Sequence, residues 1–138
     1  MAAASVVHSR IQANLAYELR KATDYAVYTE LSLLINEKEY KPDVCEYAYK
    51  EIDWKHDVIK TEELPIISIE IVSPRQTIQD VVEKIDTYLE VGIQSCWLIV
   101  PYPRIVTVYN EQGEHTFTTE AILDKPLNIK IAINDMFR

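Results

Sequence analysis

LPIISIEIVSPRQTIQDVVEKIDTYLEVGIQSCWLIV, residues 64–100, decides the fold. It opens on a near-continuous apolar run, Leu64 to Val72, which Ser73-Pro74 interrupts. A helical period follows, with Ile78, Val81, Val82, Ile85 and Leu89 on one face. The sequence predicts a helix over 75–91, with Ser73 as its cap, Pro74 in its first turn and Gly92 just past its end. Asp80, Lys84 and Tyr88 fall one turn apart along one flank of that face. Ser95 to Val100 is a second apolar run. A strand–helix–strand unit crosses over in the right-handed sense, so 64–72 and 95–100 should lie parallel in one sheet. The first of these strands is apolar on both faces, as a central strand covered by helices must be. Ile66, Ser68, Glu70 and Val72 share one face, and Ile67, Ile69 and Ile71 the other.

Toward the N-terminus, Val7, Ile11, Leu15, Leu19 and Ala22 recur at spacings of four and three, which predicts a helix over 6–22. Ser5 suits its N-cap, and Lys21 in the last turn complements the dipole. His8 falls at the edge of this stripe. It either looks into a site at the helix start or is a partly buried histidine with a backbone partner. Tyr25–Ile35 reads as one strand or a kinked pair, and Tyr40–Ala48 as its hairpin partner across the polar turn Asn36–Glu39. Glu30, in the middle of the first run, is either a further site carboxylate or an outward-facing edge residue. Tyr49–Glu63 has no period and many charges. Lys50, Lys55, His56 and Lys60 surround Trp54 there, as a DNA-contacting or gating loop would have them, or as a solvated loop pinned to the body by Trp54.

Beyond the crossover the chain is β-rich. Ile105–Tyr109 and His115–Thr118 form a hairpin about Gly113, a short strand lies near 127–131, and a turn closes the chain at 133–137. The reading is an α/β (α+β) fold, a mixed sheet flanked by helices, in one domain over 1–138.

Composition narrows the function. The chain has 138 residues, enough for one core. Its two glycines leave no Gly-rich phosphate loop. Cys45 and Cys96 lie in strand-like runs and read as reduced, buried thiols of a cytoplasmic protein. No apolar run approaches the ~20 residues of a membrane span. The net charge of -8 argues against a broad nucleic-acid footprint, though not against a local basic edge around an acidic site.

Glu70 is the anomaly. A carboxylate within an apolar strand needs a partner, a proton or a metal. Asp43, at a strand start after Pro42, would converge with it if the two strands are neighbours. Paired acids with a nearby amine suit Mg²⁺, with carboxylates and a main-chain carbonyl as hard oxygen ligands. Such a metal would acidify a bound water, and a lysine beside it could orient that water or stabilise an anionic transition state.

Pro42-Asp43, Glu70 within its apolar strand, Ser73-Pro74, Asp80, Lys84, Tyr88 and Gly92 together resemble the Uma-type restriction endonuclease domain of the PD-(D/E)xK nuclease superfamily. His8 ahead of the first helix and Trp97 in the strand after the second extend the likeness over nearly the whole chain. The resemblance implies a restriction-endonuclease-like core and hydrolysis of DNA phosphodiesters with Mg²⁺ or Mn²⁺. It also implies Asp43, Glu70 and the Ile71 carbonyl as metal ligands, Lys84 as the catalytic lysine, and a homodimer. Two departures stand out. The motif lysine is expected two residues after the acid, where this chain has Val72, so Lys84 would reach back from the helix to replace it. The resemblance also implies an extra segment ahead of the first helix, with an acidic residue of its own, whereas this sequence opens almost on that helix. Those departures motivate a second reading, a non-catalytic descendant of the nuclease fold that binds protein or nucleic acid. A third class, hydrolysis of a small phosphate ester, would need a closed pocket. For Lys84 the plain alternative is an i, i+4 ion pair with Asp80.

Overall fold

The structure, a computed structural model, describes residues 4–138. Its elements are α1 (Val6–Ala22), β1 (Ala26–Thr29), β2 (Leu33–Ile35), β3 (Lys38–Tyr40), β4 (Val44–Tyr47), β5 (Ile67–Ile71), α2 (Ile78–Glu90), β6 (Ser95–Val100), β7 (Ile105–Asn110), β8 (Gly113–Phe117), β9 (Ala121–Asp124), a 3₁₀ turn (Lys125–Leu127), β10 (Ile129–Ala132) and α3 (Ile133–Met136). Six strands make a mixed sheet in the order β1-β4-β5-β6-β7-β8. Only β5 and β6 run parallel, as the crossover requires. Every residue of β5 is buried, which accounts for its lack of apolar–polar alternation.

Two cores lie on opposite faces of this sheet. One holds Ile11, Leu15 and Leu19 of α1 against Ile67, Ile69, Ile71, Trp97 and Ile99. The other holds Val81, Ile85 and Tyr88 of α2 against Cys96 and Leu98. The period-2 alternation of β5 therefore sends Ile67, Ile69 and Ile71 toward α1, and Ser68 and Glu70 toward α2.

The run 25–35 is a kinked pair. At Glu30 the backbone takes a positive φ of 53° and the strand breaks. β1 continues the large sheet beside β4, while β2 and β3 form a separate hairpin. The helix predicted over 75–91 begins only at Ile78. Its cap is Thr77, whose hydroxyl accepts from the Asp80 N–H while the Asp80 carboxylate accepts from the Thr77 N–H. Ser73 and Pro74 belong to a preceding turn, in which the Gln76 side chain accepts from the Ser73 N–H. Ile78, expected in the core, is therefore exposed, whereas Gly92 does end the helix, with φ of 102°. On α1, Val7 and Ala22 are exposed and His8 and Gln12 are buried instead, so the inward stripe is turned by about one residue. β5 spans 67–71, shorter than the apolar run. β9, unread in the sequence, pairs with β10. Cys45 and Cys96 are free and buried, on strands to either side of β5. Among the described residues no helix is long and apolar enough to cross a membrane.

Glu46 on β4 is fully buried. Its Oε2 lies 2.8 Å from Thr23 Oγ1, which also lies 3.0 Å from the Leu19 carbonyl at the end of α1. A hydroxyl has one proton to give. If Thr23 donates to Leu19, Glu46 meets it best as a protonated acid, and burial pushes the Glu46 carboxyl up to about 7. A raised acid binds its proton more tightly folded than unfolded, so its contribution to stability is full below the ordinary value of 4.5 and is lost as pH rises through about 7. Chemical denaturation across this range should show stability falling with pH, and Glu46→Gln should flatten part of that fall.

Candidate functional site

The site forms where β4 begins and β5 ends. The β4–β5 register pairs Val44 with Ile69, and one step further sets Asp43 across from Glu70. The Val72 N–H donates to the Ile99 carbonyl, so alternate residues of β5 turn their amides toward β6. Ile71 therefore faces the β4 side, past the last β4 pair. Its N–H finds no strand there and donates instead to Asp43 Oδ2, at 2.7 Å. By the same alternation the Ile71 carbonyl faces the same edge.

α1 holds Asp43 from the other side. His8 Nε2 lies 3.1 Å from Asp43 Oδ1, and Gln12 Nε2 donates to the Asp43 carbonyl at 2.9 Å. The Glu30 N–H donates to the same carbonyl at 3.2 Å. His8 and Gln12 stand at i and i+4, one above the other on the buried face of α1. His8 thus has a side-chain partner in the site rather than a backbone one, and its buried Nδ1 has no partner among the described residues. Burial holds the Asp43 carboxyl above its ordinary value, against the lowering effects of the Ile71 N–H, His8 and Lys84.

Glu70 is 3% exposed. Tyr88 donates its hydroxyl to Glu70 Oε2 at 2.6 Å, and the Tyr88 ring meets Tyr40 of β3 edge-on at 5.7 Å between centroids. Burial, and then the charge of Asp43, push the Glu70 carboxyl up to about 8, opposed by the Tyr88 hydrogen bond and by Lys84. Lys84 stands one turn before Tyr88 on α2, on the side of the helix that meets Glu70, and its charge acts to lower both carboxyls. Asp80, engaged in the helix cap, makes no ion pair with it.

Asp43, Glu70 and Ile71 are therefore together, with His8 beside them and Lys84 on the neighbouring turn of α2. Glu30 is exposed on its bend and contributes only its backbone N–H. Among the described residues no three His, Cys, Asp or Glu side chains gather as a ready-made metal cage. Hollows of about 580, 420 and 390 Å³ lie elsewhere, between α1 and β1 and beside the segment 49–63. That segment joins the far ends of β4 and β5, and Trp54 on it is 86% exposed, so it pins nothing to the body. Its cations are largely spent: Lys50 pairs with Glu63, Lys60 with Glu39 and His56 with Asp53. Gln12 and Tyr40 had not been singled out in the sequence. Gln12 could have been found as the second polar residue, four after His8, on a stripe that otherwise turns inward.

A carboxyl pair at the edge of a mixed sheet, Glu70 buried and Asp43 partly so, with a helix-borne lysine, has the arrangement of a nuclease-like α/β protein. The fold matches that of "a putative nuclease belonging to DUF820" from Anabaena variabilis ATCC 29413, with a TM-score of 0.83, 22% identity, and 96% of this chain and 81% of that one covered. The chain belongs to the Uma2 family, described as "Putative restriction endonuclease", whose model matches residues 1–133. No curated protein matches it.

The Tyr88–Glu70 bond gives a direct test of this geometry. Tyr88→Phe keeps the ring against Tyr40 but leaves the buried carboxyl without its donor, which should lower unfolding stability by about 1–3 kcal/mol. Gln12→Ala, by freeing the Asp43 carbonyl, should cost about 1 kcal/mol. Denaturant melts of both variants beside the wild type measure these losses.

Proposed function

We propose that this chain is a metal-dependent DNA endonuclease. Asp43, Glu70 and the Ile71 carbonyl would hold Mg²⁺ or Mn²⁺, and Lys84 would be the catalytic lysine. The observation that carries this reading is the convergence of two carboxyls from adjacent strands at one sheet edge, with Lys84 one helical turn from the Tyr88 that bonds Glu70. The donor set fits the metal. Two carboxylates and a carbonyl are hard oxygen ligands, and water completes such a shell. Burial holds each carboxyl above its ordinary value, and the charge of a bound cation would oppose that shift. A bound cation of this kind supplies an acidified water and stabilises charge on the phosphate.

The chain's own residues would do the rest. The Ile71 N–H and His8 hold Asp43 in one orientation, and Gln12 fixes the backbone that carries it. Tyr88 occupies one oxygen of Glu70 and leaves the other with no hydrogen-bond partner among the described residues. Lys84 offers a mobile ammonium to the developing anion, the part played elsewhere in such motifs by a lysine at the Val72 position. A homodimer, with one site for each DNA strand, is the assembly this reading calls for, and two free, buried cysteines suit a cytoplasmic setting.

The alternative is a binding module that keeps the fold without the chemistry. It is favoured by the way His8, the Ile71 N–H and Tyr88 already give the carboxyls hydrogen-bond partners from the protein itself. Nicking of plasmid DNA separates the two. Cleavage should require Mg²⁺ or Mn²⁺ and stop in chelator. Asp43→Ala and Glu70→Ala should lose more than about 100-fold, since even the outer partners of metal ligands are worth 10–100-fold. Lys84→Met should lose about 10²–10³-fold. Calorimetric metal titrations, with and without DNA, should show binding by the wild type and none by Asp43→Ala. Undiminished cleavage in either carboxylate variant would sink the proposal.

A further inference from the structure

The cations of this acidic chain are unequally committed. Lys21, Lys50 and Lys60 pair with Glu18, Glu63 and Glu39. Arg10, Lys41, Arg75, Lys84 and Arg104 are among the cations that pair with no described carboxylate side chain, and topology places these five together; Arg10 also donates to the Arg138 carbonyl, and Arg104 lies over the Phe137 ring. β5 and β6 are parallel, so their C-terminal ends share an edge, and antiparallel β4 begins at that edge. Lys41 stands just before β4, Arg75 in the turn after β5 and Arg104 in the turn after β6. The strand order therefore lays these three exposed side chains along one rim, one to each neighbouring strand end. The first turns of α1 reach the same rim through His8 and Asp43. Arg10, Tyr102 and Arg104 there line a hollow of about 370 Å³, and Tyr102 stands 90% exposed above it.

The carboxylates that topology sets at this edge include Asp43 and Glu70, Glu30 on its bend, Asp80 in the cap of α2 and Glu120 after β8. Two of these are the proposed metal ligands, so a bound divalent cation would shift the edge further toward positive charge. The net charge of -8 is then carried mostly by the other faces, which repel a polyanion and leave one edge open to it.

We infer that Lys41, Arg75 and Arg104 contact the phosphates of a DNA duplex laid along this rim, with Arg10 and Tyr102 bordering it, so that one strand's backbone crosses the carboxylate pair. Contacts of this kind position the duplex and carry no base information, so the rim sets affinity and register rather than sequence preference. The inference rests on the nuclease reading and deepens it.

The test is fluorescence anisotropy with a short labelled duplex, in chelator so that nothing is cut, over a series of salt concentrations. Each of Arg75→Gln and Arg104→Gln should weaken binding to unrelated duplexes alike, and each should reduce the log–log salt slope by about 0.9, one phosphate contact. Lys125→Gln, the same charge change on the 3₁₀ turn before β10, should keep the wild-type affinity and slope. If the two rim variants bind as Lys125→Gln does, and still cut as the wild type does, the rim is overturned and the nuclease reading stands. A wild type that neither binds duplex at low salt nor cuts it with Mg²⁺ overturns both.

Discussion

Burying the Glu70 carboxyl in the central strand is the constraint from which the arrangement follows. A carboxylate in a sheet interior is costly unless it is paired, hydrogen-bonded or protonated. The chain answers with the Tyr88 hydroxyl, and that one bond ties several elements together. It requires α2 to lie over the β5–β6 crossover with its Tyr88 side inward. Tyr40 of β3 meets the phenol ring edge-on, and the β2–β3 hairpin that carries it packs into the second core.

The opposite layer solves a different problem. Asp43 lies where strand pairing has just stopped, so its backbone and side chain lack ladder partners. Gln12, His8 and the stranded Ile71 N–H supply them. Two helices on opposite faces of the sheet thus converge on neighbouring carboxyls. α1 secures one by its backbone and side chain, and α2 secures the other by a phenol and brings up an ammonium. This division keeps the Asp43–Glu70 pair at a sheet edge, with Glu70 buried and part of Asp43 open to solvent, while β5 behind it remains fully covered.

The crossover was legible because its signals are local. A buried strand, a 3.6-residue period and a second apolar run follow one another without interruption, and Glu70 stands out as an acid where none belongs. The start of α2 was misread because Ser73-Pro74 imitates a cap and first turn. The true signal, Thr77 followed three residues later by Asp80, was equally present, and it prevailed because both of its hydrogen bonds form. β9 left little trace, being four residues whose partner lies across a 3₁₀ turn. The embrace of Asp43 by α1 was not readable from order along the chain, because Gln12 and Asp43 are 31 residues apart. Only the tertiary packing of α1 decides that His8 and Gln12, and not Val7, turn inward.

Asp124 lies fully buried at the end of β9. Ser95 and Trp97 of β6 and Asn110 of β7 all donate to its carboxylate. Apolar packing is non-directional and would let the β9–β10 ribbon slide over the sheet with little loss. A carboxylate shared among three donors on two strands has one satisfactory position, and any slip leaves buried polar groups unpaired. Asp124 therefore acts as a locating pin: it fixes the angle at which the last part of the chain docks, and with it the seat of α3, whose Met136 carbonyl receives Asn14 of α1.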